Sequence, residues 1–214
     1  QIMSETFFVN PILLRDGLNM HSIEAGWLRN NYAQSSNDYG DAFAAATYRV
    51  GVTDSLTTEL HAEALEQRRT AGLAVATRLP GSATVIETSA AISNDSVEGS
   101  GQMASVRLSY QGSRWSANVR GQVNSANFRQ LGSDLLSLPK QVVTAQLGTP
   151  VRDGTLSVNY LRRYNVGEQH TRIVTVGYGK RLFGSLQASF TLLKPLSGAG
   201  DTMAQFTLMR LFGN

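Results

Sequence analysis

The chain has no cysteine, few charged residues and no long apolar run. The absence of cysteine excludes disulfide frameworks, thiolate zinc sites and cysteine nucleophiles. Charged residues make up 16% of the chain, below the roughly 25% of soluble domains. No run reaches the about 18 apolar residues of a transmembrane helix. These values fit a soluble protein or a membrane β-barrel, because only alternate residues of a barrel strand face lipid.

Lysine is scarce among the basic residues. The 19 basic residues give a net charge of +3, and lysine occurs only at positions 140, 180 and 194. The arginines are scattered along the chain, whereas a nucleic-acid-binding protein usually clusters its basic residues in one patch. We therefore predict no nucleic-acid partner.

The residues that commonly carry catalysis or bind metals do not form a known constellation. The three histidines are His21, His61 and His170, and neither G-x-S-x-G nor H-E-x-x-H occurs. His61-x-Glu63 resembles half of a zinc deaminase motif, but the Cys-x-x-Cys half is missing. We predict no catalytic residue, no metal site and no cofactor, and expect a protein that is not an enzyme.

Short segments with alternating polarity run through the chain, separated by Gly, Asn, Asp and Ser. We count about twelve segments of about ten residues, the length of a tilted membrane-crossing strand. They lie near 20–30, 41–52, 55–65, 70–79, 83–92, 102–111, 114–124, 140–149, 154–164, 170–180, 184–193 and 202–211. Short connections between such segments predict an all-β, antiparallel up-and-down arrangement.

Each segment has an apolar and a polar face, because successive strand side chains point to opposite sides. The apolar set comprises Leu56, Leu60, Ala62, Val119, Val123, Phe190 and Leu192. The polar set comprises Glu59, His61, Glu63, Arg107, Asn118, Arg120 and Gln122. A soluble antiparallel sheet shows the same alternation, so this pattern leaves a sandwich and a barrel both open.

Two stretches depart from simple alternation. Residues 59–76 are rich in helix formers, but the period of two continues through Glu63, so we predict strands there. Residues 127–140 lack alternation around Phe128-Arg129-Gln130-Leu131-Gly132, and a connection of this length is usually a loop.

Residues 22–64 carry an ordered series of motifs. The series contains Glu24, Gly26, Arg29, Asn30 and Tyr32, then Asp38-Tyr39-Gly40-Asp41, then Tyr48-Arg49, Gly51, Thr53-Asp54 and Leu56-Thr57. This series resembles the transmembrane barrel of fimbrial outer-membrane ushers, the secretion pores of the chaperone–usher pathway. The resemblance continues more loosely over 100–211, and the family's final "leu-pro-leu-gly" is replaced by Leu208-Met209-Arg210-Leu211-Phe212-Gly213.

The resemblance implies a transmembrane β-barrel in the outer membrane. Residues 1–18 would connect it to a plug domain, and residues 19–214 would form the barrel segment. About twelve strands are half of such a barrel, so we expect a partial barrel whose edges need further strands. No signal peptide is visible at Gln1, so we expect either that one was removed or that the chain is a piece of a longer protein. The polar set defined above would line the pore, and the apolar set would face lipid.

The function implied by the resemblance is passive. Fimbrial subunits, delivered by a periplasmic chaperone, would cross the pore, and the remaining usher domains would be further partners. The alternative is a self-contained small outer-membrane barrel, either a diffusion pore or a hydrolase. A soluble β-sandwich binding module is a third possibility. Pairing of the first strand with the last would distinguish the self-contained small barrel from the usher segment.

Overall fold

The computed structural model describes residues 13–29, 37–131, 139–165, 170–183, 185–198 and 200–210. Every regular element within these ranges is a β-strand. The strands are β1 Asn19–Arg29, β2 Tyr39–Thr53, β3 Leu56–Leu65, β4 Arg68–Arg78, β5 Thr84–Asp95, β6 Gly99–Gln111, β7 Ser116–Asn124, β8 Gln141–Val151, β9 Gly154–Tyr164, β10 Thr171–Arg181, β11 Leu186–Pro195 and β12 Met203–Arg210.

The hydrogen-bonded strand order follows the chain from β1 to β12. Consecutive strands such as β1 and β2, or β9 and β10, pair antiparallel. The prediction of an all-β, up-and-down sheet of twelve strands is therefore confirmed. In the described residues β1 and β12 are the two ends of this order and are not neighbours in it, so the sheet is not closed.

Residues 59–76 form strands despite their helix-forming composition. β3 and β4 pair in register from Leu56↔Thr77 to Ala64↔Arg69, and a tight connection joins them. Each strand is hydrogen-bonded to neighbours on both sides, and this pairing outweighs an intrinsic helix preference of a few tenths of a kcal/mol per residue.

The chain divides into two compact units. Unit 1 contains Gln1–Val106 and Gln122–Lys140, and unit 2 contains Arg107–Gly121 and Gln141–Asn214. In unit 1 the polar side of the strands is the less exposed side. On β3, Glu63 is 8% exposed, whereas Leu60 is 60% exposed. This burial is the reverse of a soluble sheet, and a barrel with an apolar outer surface requires it.

Unit 2 shows the same alternation across its registered strands. Val158 of β9 lies opposite Leu147 of β8 and Val176 of β10. The next residue, Asn159, lies opposite Gln146 and Thr175. Apolar and polar residues therefore line up in rows on opposite faces of the sheet.

Several predictions concern residues outside the described ranges. These are residues 1–12 of the connector, Asn30 and Tyr32 of the motif series, residues 132–138 of the irregular stretch and the final residues 211–214. A search of the described residues for helices long and apolar enough to cross a membrane found none.

Candidate functional site

The candidate site is the polar face of unit 1, which carries most of the buried charge of the described residues. Its members alternate along β2 to β5 and point to one side of the sheet. They are Thr47, Arg49, Thr57, Glu59, His61, Glu63, Thr70, Glu87, Ser89 and Ser93. We call this set the polar face.

An ion pair lies at the centre of the polar face. Arg49 on β2 and Glu59 on β3 are register partners, and their Nε and Oε2 atoms are 3.7 Å apart. Their side chains are 9% and 15% exposed. Cross-strand partners with opposite charge stabilise a sheet, and here they keep both charges on the same face.

A chain of hydrogen bonds runs along the polar face through His61. Nδ1 of His61 lies 2.7 Å from the Thr47 hydroxyl, and Nε2 lies 3.0 Å from Oε1 of Glu63. A neutral His61 with its proton on Nε2 satisfies both contacts, because Nε2–H then donates to Glu63 and Nδ1 accepts from Thr47. Oε2 of Glu63 accepts the backbone N–H of Leu131 at 2.7 Å.

This order of hydroxyl, imidazole and carboxylate also occurs in hydrolases. Here it ends on the backbone of Leu131, which belongs to a segment that crosses the sheet rather than to a substrate. The arrangement therefore ties β2 and β3 to that segment.

Residues 125–131, which follow β7, lie across the polar face. Phe128 is fully buried and forms a small apolar cluster with Ala74, Ala91 and Met103. These three smaller residues come from β4, β5 and β6, on the side that otherwise carries polar groups. The cluster thus provides an apolar pocket for one aromatic ring within a polar surface.

Hydrogen bonds and close backbone contact hold the 125–131 segment in place. Thr70 donates its hydroxyl to the carbonyl of Arg129 at 3.0 Å, and Ser93 Oγ accepts the Arg129 N–H at 3.0 Å. Arg129 also pairs with Glu98 at 3.1 Å. A Cβ at Gly101 would collide with the backbone of Phe128, so glycine is required where the segment touches β6.

A second segment, residues 13–18, touches the polar face at the start of β3. The backbone N–H of Leu14 donates to the Thr57 hydroxyl at 2.9 Å, and Gly17 N–H donates to the Gly51 carbonyl at 3.0 Å. A Cβ at Gly51 would collide with the carbonyl of Arg15. Thr57 and Glu63 lie near opposite ends of β3, so the two segments lie at opposite ends of the polar face.

The seven predicted pore-lining residues fall into two groups. Glu59, His61 and Glu63 share one face of β3, where Glu59 pairs with Arg49 and His61 contacts Glu63. The others lie on β6 and β7, where the Asn118 amide donates to Ser109 at 2.7 Å and the Gln122 amide donates to Asn124 at 3.0 Å.

The two arginines of the predicted set also lie on the more buried sides of their strands. Arg107 is 8% exposed, whereas its neighbour Leu108 is 41% exposed. Arg120 is half-buried, and Val119 beside it is 44% exposed. That this side of the strands lines a pore stays a prediction.

Sequence reasoning did not find that both irregular segments cover the polar face. The usable signal was glycine: Gly51 and Gly101 occupy polar-face positions within strands, and a strand glycine often marks a bulge or a close backbone approach. Within the described residues no group of three or more His, Asp or Glu is arranged to hold a metal ion.

Comparison with known proteins found similar solved structures but no match by sequence. No family model matches the chain, and no curated protein matches it. The translocation pore of the P pilus usher PapC superposes with a TM-score of 0.68 at 14% identity, over 92% of this chain and 46% of that one. PapC in the E. coli P pilus tip assembly intermediate PapC–PapD–PapK–PapG gives 0.71 at 16% identity, over 91% and 26%.

Another outer-membrane protein also superposes on the chain. Wzi from Escherichia coli, a carbohydrate-binding β-barrel involved in group 1 capsule assembly, gives a TM-score of 0.60 at 9% identity, over 90% of this chain and 56% of that one. The chain spans less than half of the PapC chains it matches. Its fold is that of an outer-membrane β-barrel protein.

Proposed function

We propose that this chain forms part of the outer-membrane pore of a fimbrial usher, through which pilus subunits delivered by a periplasmic chaperone are secreted. The observation that carries the proposal is the superposition on PapC. The superposition covers 91% of this chain and 26% of the longer chain with a TM-score of 0.71, above the 0.60 obtained with Wzi.

The motif series supports the same assignment independently of the superposition. Its described members fall on β1, just before and along β2, in the turn after β2 and at the start of β3, and Gly51 of β2 makes the close contact with Arg15. A generic outer-membrane barrel needs alternation but does not need this ordered set of residues.

The open strand order favours a part of a larger pore over a self-contained small barrel. A barrel that closes on itself pairs its first and last strands, because unpaired backbone groups are costly in lipid. β1 and β12 are not neighbours in the strand order of the described residues. The proposed role needs no bond-making chemistry from these residues, and the outer membrane is the proposed location.

Site-specific photocrosslinking in cells that assemble the pilus tests this function. A benzophenone amino acid is placed at Asn118, on the polar side of β7, and in a separate strain at Val119, on its apolar side. We expect adducts with a pilus subunit at Asn118, because a secreted subunit passes along the polar side.

The adjacent position provides the control. Val119 is 44% exposed and differs from Asn118 only in the face on which it lies, so it should give no subunit adduct. Pili that assemble normally while Asn118 yields no subunit adduct would refute the usher role, and so would equal adduct formation at both positions.

A further inference from the structure

A row of basic residues lies on the apolar side of unit 2. Arg162 on β9 and Arg172 on β10 are direct register partners. Lys194 on β11 lies opposite Val174, which is two residues from Arg172 and shares its face. All three side chains are exposed, and the cross-strand spacing places them within reach of one another.

This placement is unfavourable for the isolated protein. Like charges directly opposite each other destabilise a sheet. Among the residues that the structure describes, none pairs ionically with Arg162, Arg172 or Lys194, although Asp201 lies in the connection that follows β11. A bound anion with several oxygens would offset the repulsion between these basic side chains, because all of them could bind it at once. Each guanidinium can donate two parallel hydrogen bonds to a phosphate.

The surroundings of the row match the edge of a lipid-facing surface. Toward the middle of the strands the same side carries valine and leucine at Val158, Val176 and Leu192. Toward the strand ends, the rings of Tyr164 and His170 stack with centroids 4.5 Å apart. Aromatic girdles mark the interfaces of membrane barrels, so the basic row lies at the depth of lipid headgroups.

The backbone around Arg172 is held in place. Its N–H donates to the Ser197 hydroxyl oxygen at 2.8 Å, and its carbonyl accepts the Leu196 N–H at 2.7 Å. The connection after β11 is thereby attached to β10 beside the basic row, which keeps its geometry fixed.

The lengths of the connections indicate which leaflet is involved. At the end of unit 2 that carries the row, the connections are 165–170 and 196–202; at the other end they are the shorter 152–153 and 182–185. Barrels have short periplasmic turns and longer extracellular loops. The row therefore lies at the extracellular end.

We propose that Arg162, Arg172 and Lys194 bind the phosphate groups of a phosphorylated glycolipid of the outer leaflet, of the lipid A type. The two arginines, on adjacent strands, bind one phosphate together. Lys194 lies two residues closer to the middle of the strands, and its long apolar side chain lets the ammonium group reach the interface. The proposal rests on the barrel fold and is independent of the usher role.

Native mass spectrometry in detergent, with both sheet edges supplied by neighbouring strands and lipid A added, measures the binding. The triple variant Arg162→Gln, Arg172→Gln, Lys194→Gln should bind lipid A about a hundredfold more weakly, roughly fivefold for each basic residue removed. Lipid A without its phosphate groups should bind the unaltered chain more weakly than intact lipid A does, by a factor similar to that of the triple variant. Replacing both arginines by lysine should restore only part of the binding, because lysine keeps the charge but cannot donate two parallel hydrogen bonds from one planar group.

A matched control removes the same charge elsewhere. Arg69→Gln, Arg78→Gln, Arg181→Gln neutralises three exposed arginines outside the row and should bind lipid A as tightly as the unaltered chain. If the first triple variant does not fold, Arg172→Gln alone, with about a fivefold loss, replaces it. The proposal is overturned if the row variant binds as well as the control, or if millimolar inorganic phosphate displaces the lipid.

Discussion

At the scale of single residues, the chain is organised by which side of a strand a residue occupies. The polar side holds the Arg49–Glu59 pair and the hydrogen bonds of His61. The other side holds exposed apolar residues such as Leu60 and Ile92, at 60% and 64% exposure. A whole face of such residues is more stable in contact with lipid than in contact with water, because removing apolar surface from water is favourable.

Adjacent substitutions on β7 should have very different costs. Val119→Arg places a charge on the apolar side near the middle of the strand and should destabilise the barrel by about 2–4 kcal/mol. Asn118→Arg, one residue away on the polar side, should cost little. Denaturant unfolding from lipid vesicles, with both sheet edges supplied by neighbouring strands, measures the difference, and equal costs would disprove the assignment of faces.

At the scale of elements, the alternation of polar and apolar residues was sufficient to place the strands. It did not predict the position of the segment that leaves the sheet and lies across the polar face. The strands at 59–76 could be predicted because the period of two persisted through helix-forming residues. The course of residues 125–131 could not, because it depends on a pocket assembled from Ala74, Ala91 and Met103. These residues are distant in sequence, and nothing in their order shows that they share one aromatic ring.

The 125–131 segment should detach when its contacts are removed. Phe128→Ala empties the apolar pocket, and a buried Phe→Ala change costs about 3–5 kcal/mol. Gly101→Ala should act similarly, because its Cβ would collide with Phe128. Since the strands keep their own pairing, we expect local rather than global opening, seen as faster hydrogen exchange at the amides of Arg129 and Leu131.

A glycine-to-alanine change in another strand is the control for Gly101→Ala, because it restricts the backbone in the same way without adding a collision. At Gly179 of β10 no atom lies within 4 Å of the position that a Cβ would occupy, so Gly179→Ala should leave the exchange of residues 125–131 unchanged. Unchanged protection in Gly101→Ala would mean that the segment does not depend on contact with β6.

At the scale of the whole molecule, the strand order has two ends that lack a partner among the described residues. Each end exposes backbone N–H and C=O groups, which are costly in lipid and promote aggregation in water. The isolated chain should therefore insert poorly into planar bilayers and conduct no ions. Supplying strands for both edges should restore a large pore, whereas a stable conductance from the isolated chain would indicate that it closes alone.

The strict alternation of faces limits how such a sequence can change its length. Removing one residue from the middle of β9 would turn every following side chain of that strand to the opposite side, bringing Asn159 outward and Val158 inward. Its partners β8 and β10 hold β9 in a continuous register on both sides, so neither could follow the slip without losing its own alignment. Insertions and deletions should therefore accumulate in the connections, such as residues 30–38 between β1 and β2, while the strands change by substitution at constant length.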